Sequence, residues 1–101
     1  MADMLETSSL RTLAQQAGLR VGCHPDFRPD DASGPLTELH CREFDTAVFN
    51  CFHWCALAPD GVYDWRLPDA AVAWARAHGQ RLRGHALLWY QTLPAAVQAC
   101  R

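Results

Sequence analysis

The feature that most narrows the fold is the order in which capped amphipathic segments and short apolar segments alternate along the chain. Ser8 or Ser9 can cap a helix through Leu10, Leu13, Ala14 and Ala17, with Gly18 as its stop. Leu19 to Cys23 then reads as a short strand, and His24 to Pro35, rich in Pro, Asp, Gly and Ser, as a loop. Leu36, Leu39, Cys41 and Phe44 are spaced for a short helix, and Asp45 to Asn50 is a second strand, β-branched and aromatic in its middle. Ala58-Pro59-Asp60-Gly61 signals a turn before the aromatic pair Tyr63 and Trp65. Asp69 can cap an Ala-rich helix from Ala70 to Ala77, which His78-Gly79 ends. Arg81 to Trp89 reads as a third strand, and Pro94 opens a last helix from Ala95 to Cys100. Helix and strand alternate throughout, and that implies parallel strands joined by right-handed crossovers. Parallel sheets are normally buried on both faces. Three strands covered on one face therefore read as the opening of a larger α/β structure.

Composition removes several functional classes. The 101 residues, half of them hydrophobic and a fifth charged, suit one small globular unit. A chain of this length buries roughly 65% of its unfolded surface. Nine basic against eleven acidic residues give a formal net charge of −2 with no basic stripe, so nucleic acid is not expected as a partner. Every basic residue is Arg; without Lys, Schiff-base and P-loop lysine chemistry are excluded. No apolar run approaches the ~20 residues of a membrane span, and no membrane partner is expected. Met1-Ala2-Asp3-Met4-Leu5-Glu6 places acid where a signal peptide needs base, so secretion is not encoded in that stretch. The five cysteines are odd in number and irregularly spaced, which favours buried thiols over a disulfide framework.

Two clusters carry the groups that chemistry needs. Phe49-Asn50-Cys51-Phe52-His53-Trp54-Cys55 follows the second strand, and Arg83-Gly84-His85-Ala86-Leu87-Leu88-Trp89-Tyr90 closes the third. Sites in parallel α/β folds assemble after strand C-termini. Both clusters combine aromatic faces with hydrogen-bonding groups, a combination suited to a sugar, whose C–H faces stack on rings while its hydroxyls need fixed partners. The plainer reading makes Trp54 and Trp89 core aromatics and His85 a satisfied buried histidine. Cys51, His53 and Cys55 alternate as if on one strand face, a weak zinc signature that lacks a fourth ligand and the usual spacings.

Taken together, the clusters resemble the N-terminal portion of glycoside hydrolase family 10, the endo-1,4-β-xylanases. That family has a Glu-Asn-x-x-Lys-Trp stretch after its second strand and a Leu-x-Pro…Gly-x-Tyr-x-Phe/Trp passage. An Asp-capped helix, an Arg-Gly-His-Thr-Leu-Val-Trp-His strand and a Leu-Pro helix start follow. This chain has Asn50, His53 and Trp54, then Leu57, Pro59, Gly61, Tyr63, Trp65 and Asp69, then Arg83, Gly84, His85, Leu87, Leu88, Trp89, Leu93 and Pro94. Ser9 to Gly22 is similar to the opening helix and first strand, so the resemblance runs from about residue 9 onward. It implies an incomplete (β/α)8 TIM barrel: the first three βα units of a fold that typically needs ~250 residues.

By the same resemblance, Asn50 and His53 stand where the family binds the sugar on the non-reducing side of the cleavage point. His85 and Trp89 stand where it contacts the sugar at that point. Four departures accompany this. Phe49 replaces the Glu before Asn50, with the stretch one residue short; His53, a shorter donor, replaces the Lys; Tyr90 replaces the His after the Trp; and Thr92 replaces the Gln before Leu-Pro, with Gln91 one place early. The family's two catalytic Glu follow its fourth and seventh strands, and neither position falls within these residues. Retaining cleavage needs both carboxyls about 5–5.5 Å apart. The expectation is thus a xylanase-like piece that supplies sugar contacts, takes no cofactor or metal, contains no catalytic residue and is inactive alone. Its partner would be a β-1,4-linked polysaccharide such as xylan. The alternative is a non-catalytic relative acting as a carbohydrate-binding or interaction module. The intact Arg83-Gly84-His85 run favours the first reading, and the lost Glu and Lys favour the second. Family members are often secreted, but no signal peptide is visible here.

Overall fold

In the computed structural model residues 8–100 are described; the sequence reading of the N-terminal hexapeptide lies outside them. Three parallel strands, β1 (Gly22–Cys23), β2 (Thr46–Ala47) and β3 (Arg81–Leu82), form one sheet in that order. The rows are Gly22–Thr46–Arg81 and Cys23–Ala47–Leu82. Backbone bonds extend the ladder by a residue or so at each end: Asp45 N–H donates to Val21 O (3.0 Å), Val48 N–H to Cys23 O (3.2 Å) and Arg83 N–H to Ala47 O (3.1 Å). Gly22 allows the β1–β2 approach, because a Cβ there would meet the Thr46 Cβ at 2.8 Å.

Helix α1 (Leu10–Gln16) precedes β1, α2 (Pro35–Glu43) precedes β2, and α4 (Arg66–Ala77) precedes β3. A short α3 (Trp54–Leu57) follows β2, and α5 (Ala95–Gln98) closes the described chain. Ser9 caps α1 by accepting from Thr12 N–H (3.1 Å), and Gly18 takes φ 71° just beyond the C-terminus, both as the sequence requires.

The strands are much shorter than the apolar runs that predict them. The largest difference is at the third, expected from Arg81 to Trp89 and regular only at Arg81–Leu82. Its partner β2 leaves the sheet, since Asn50–Phe52 turns into a 3-10 helix. Residues beyond Arg83 then have no ladder to join. This turn and α3 also break the strand-like alternation of Cys51, His53 and Cys55: Cys51 is buried in the core, and Cys55 lies on α3.

α4 differs at its start. It begins at Arg66, three residues before Asp69, so Asp69 sits in the first turn and is not the cap. Asp64 initiates it instead, accepting from Arg66 N–H (3.1 Å), and Pro68 is tolerated in a first turn that needs no N–H from it. The Arg66 guanidinium also holds the Asp64 carboxyl down to about 2. The buried stripe of α4 is Pro68, Ala71, Trp74 and Ala75, whereas Val72 is exposed. Pro94 is the N-cap of α5, one place earlier than its expected first-turn position.

The core lies on the Ala47–Leu82 side of the sheet and centres on Trp74. Its ring packs edge-on against Phe27 (5.4 Å), Phe49 (5.5 Å) and His40 (5.8 Å), and stacks on His78 (5.0 Å). His40 is itself buried; its Nε2 bonds Gln80 Oε1 (3.1 Å), while Gln80 Nε2 donates to Phe44 O (2.8 Å). Burial pushes the His40 imidazole below the usual 6.5, outweighing the opposing bonds to Gln80 and the Thr46 backbone. The unfolded chain then takes up this proton first as pH falls. The stability is complete well above pH 6.5 and is lost as pH drops through and below it. Urea midpoints measured from pH 8 to pH 5 should fall with acid, and His40→Gln should flatten that slope.

Candidate functional site

The site is set by where β2 stops. Phe49 and Cys51 are drawn into the core, which fixes the 3-10 turn between them and leaves His53 at its far end, where it N-caps α3. A helix this short has free N–H groups in its first turn. The loop after β3 satisfies two of them: Trp54 N–H donates to Leu87 O (3.1 Å) and Cys55 N–H to Thr92 O (3.2 Å). The two sequence clusters are thereby joined by main-chain bonds, at the ends of β2 and β3.

His53 is buried under that loop, with Nδ1 bonded to Thr92 Oγ1 (3.1 Å). The Thr92 hydroxyl donates to Trp89 O (3.3 Å), so it accepts from Nδ1–H, and Nε2 is left as the acceptor of the ring. His85 lies 6.2 Å from His53 between ring centroids, nearly perpendicular to it; Trp89 lies 6.1 Å away at 45°. Both His85 and Trp89 are exposed, which overturns the plainer reading of them as core residues. The His85–Ala86 peptide is cis.

Of the four residues singled out in the sequence, three gather. Asn50 is exposed and lines a different recess, with His24, Pro25, Phe27, Arg28 and Phe49. Thr92, the fixed partner of His53, is missed by sequence reasoning because it stands thirty-nine residues away in a polar loop. Also missed is an apolar groove of about 460 Å³ alongside the cluster, lined by Trp54, Leu57, Tyr63, Trp65, Leu87 and Leu88. Tyr63 and Trp65 stack there at 5.3 Å and 5°; their i, i+2 spacing on an extended segment was the available signal. Chemically, the cluster offers two imidazoles and an indole face, with no carboxylate among His53, His85, Trp89 and Thr92. It can hold hydroxyls and stack on C–H bonds. Among the described residues, no three His, Cys, Asp or Glu side chains are gathered as a metal would need, and no helix is long and apolar enough to cross a membrane.

The sequence pattern of glycosyl hydrolase family 10 matches residues 9–100. Xylanase B from Clostridium stercorarium F9 superposes with a TM-score of 0.74 at 27% identity, over 86% of this chain and 25% of that one. A family 10 structure from Paenibacillus barcinonensis gives 0.67 at 30% identity, over 74% of this chain and 22% of that one. Xylanase 10B from Thermotoga petrophila RKU-1, solved with xylobiose, gives 0.74 over 92% and 30%; at 22% identity it speaks for the fold alone. The three parallel strands are thus part of a TIM-barrel fold, and the chain spans about a quarter of the length of the solved structures it matches.

The Thr92 contact is directly testable. Thr92→Val removes the acceptor of His53 Nδ1–H at a cost of about 1 kcal/mol. Imidazole 15N spectra should show the His53 Nδ1 signal displaced and those of His40 unchanged; an unmoved His53 signal refutes the bond.

Proposed function

Because the chain belongs to glycosyl hydrolase family 10, we propose that it is the sugar-contacting N-terminal portion of a xylanase-like glycoside hydrolase. Its ligand is a β-1,4-linked polysaccharide such as xylan, and it carries binding groups without the catalytic pair. The observation that supports this most is the gathering of His85 and Trp89 around His53, their ring centroids 6.2 and 6.1 Å from its own, beyond the C-terminal ends of β2 and β3. In this reading Trp89 stacks on the C–H face of a xylose unit, while His85 and the free Nε2 of His53 hold its hydroxyls. Asn50 contacts a neighbouring unit from its own recess, further along the polysaccharide. No bond is cleaved, because a retaining double displacement needs a nucleophilic carboxylate and an acid/base carboxyl about 5–5.5 Å apart, and the cluster presents neither.

A second reading, a non-catalytic carbohydrate-binding or interaction module, is favoured by Phe49. That side chain stands where the family pattern has Glu and is buried against Trp74 and Phe27. A charged side chain could not occupy that position without disrupting the core. The gene beyond Arg101 separates the two readings: an in-frame Asn-Glu-Pro segment supports the enzyme portion, and an immediate stop supports the module.

The enzyme-portion reading and the carbohydrate-binding form of the second both require sugar binding without hydrolysis. Titration with xylohexaose should give saturable binding and no reducing-sugar release. Trp89→Ala should weaken the affinity about fivefold or more, from the loss of about 1 kcal/mol of ring stacking. Unchanged affinity in Trp89→Ala, or in His85→Ala, refutes the site.

A further inference from the structure

The loop after β1 is anchored by alternate residues. Pro25 is buried and Phe27 half-buried, with the Phe27 ring edge-on to Trp74 (5.4 Å), Phe49 (5.8 Å) and His40 (6.1 Å). His24, Asp26 and Arg28, the residues between and beyond them, are exposed. They meet Asn50 across a recess of about 280 Å³ that Phe27 and Phe49 also line. Both walls belong to this chain: one is the β1 loop and the other is the turn that follows β2. The Arg28 guanidinium is held in direction. Its Nε donates to Asp30 Oδ1 (3.0 Å) and its Nη2 to Asp30 Oδ2 (2.9 Å), a bidentate fork. Among the described residues, Nη1 donates to no protein acceptor. An exposed pair of this kind adds little to stability; what it supplies is orientation.

We propose that this recess is a second sugar subsite, one unit beyond the histidine cluster, in which Arg28 makes the chain select for longer polysaccharide. The inference rests on the sugar-binding reading of that cluster and extends it to a loop where the family resemblance assigns no contact. Spacing supports it. Asn50 to His53 spans a 3-10 turn, and three residues of such a helix advance about 6 Å, close to the length of one pyranose unit. Charge narrows the ligand. Asp26 and Arg28 bring opposite charges to one recess, so an ionic unit meets a like charge there as well as an opposite one. A neutral unit uses both: Arg28 Nη1 and the Asn50 amide donate to its oxygens, and the Asp26 carboxylate accepts from its hydroxyls. Pro25 and Pro29 restrict the backbone, and Phe27 ties the loop to Trp74, so little remains to be ordered on binding.

NMR titration of the full chain with methyl β-xyloside, a single unit, and with xylohexaose tests this, read at the Trp89 indole and His85 imidazole signals. Xylohexaose should bind at least about tenfold more tightly than the single unit. Arg28→Ala should remove about tenfold of that affinity, the worth of one hydrogen bond to a charged group, and leave the single unit unaffected. Arg28→Lys and Asp30→Ala keep a cation but lose its held direction, and should fall between. Unmoved Phe49 and Trp74 signals verify the fold of each variant. A chain that does not prefer xylohexaose overturns the proposal, as does Arg28→Ala with unchanged xylohexaose affinity or with an equal loss for both ligands. Xylohexaose binding that is lost in Trp89→Ala but indifferent to Arg28→Ala removes the recess alone and leaves the cluster reading standing. Binding of neither ligand overturns both.

Discussion

The indole of Trp74 is the contact on which the arrangement depends. It touches a residue from each neighbouring segment: Phe27 from the loop after β1, His40 from α2, Phe49 from the end of β2 and His78 just past α4. Its N–H is buried without an acceptor, a cost of about 1–3 kcal/mol. Against that stand about 3–5 kcal/mol, the usual loss when a buried aromatic is cut to alanine. Burial wins, and by a margin that matters to a domain whose whole stability is about 5–15 kcal/mol. A sheet with a two-residue ladder on each strand contributes little by itself; the aromatic cluster holds helices and strands in register.

The site follows from that cluster at one remove. Phe49 packs on Trp74, and Cys51 is buried beside it, so the chain between them must turn out of the sheet. The turn delivers His53 to the start of α3 and ends the ladder that β3 could have extended. The loop carrying His85 and Trp89 then folds back to α3, where Trp54 N–H donates to Leu87 O and Cys55 N–H to Thr92 O. One apolar contact thus ends a strand, starts a helix and brings two distant histidines together. It also separates Asn50, which lies at the start of the turn and faces the recess beside Phe27.

The two faces of the sheet differ in the same economical way. In the Ala47 row, Ala47 is buried and Leu82 half-buried against the core while Cys23 at the edge is exposed; the Thr46 row is polar and, with its flanking residues, carries three arginines lining an open recess. In a parallel sheet the second face is normally covered too, and strict side-chain alternation means that residues chosen for it cannot serve the core. Leu87, Leu88, Tyr63 and Trp65 are exposed as well, in the separate apolar groove they form with Trp54 and Leu57.

Much of this is legible in the sequence, and the reasons are local. Ser9 and Gly18 bound α1 because capping and left-handed backbone depend on the residues themselves. The parallel order follows from alternation, and the Arg83-Gly84-His85 and Asn50…Trp54 patterns identify the family. What the sequence could not decide depends on partners far along the chain. The third strand stops at Leu82 because β2 turns away, not because Arg83 to Trp89 is unsuited to extended structure. The start of helix α4 is instead a local choice between two good acids: Asp64, two residues before Arg66, accepts its N–H, and Asp69 is left in the first turn. Val72 is exposed and Ala71 buried because the position of Trp74 fixes the helix rotation. Residue types and spacings set the list of groups available for binding; their distances, and the division of Asn50 from the histidines, were decided only when tertiary packing chose where each strand ends.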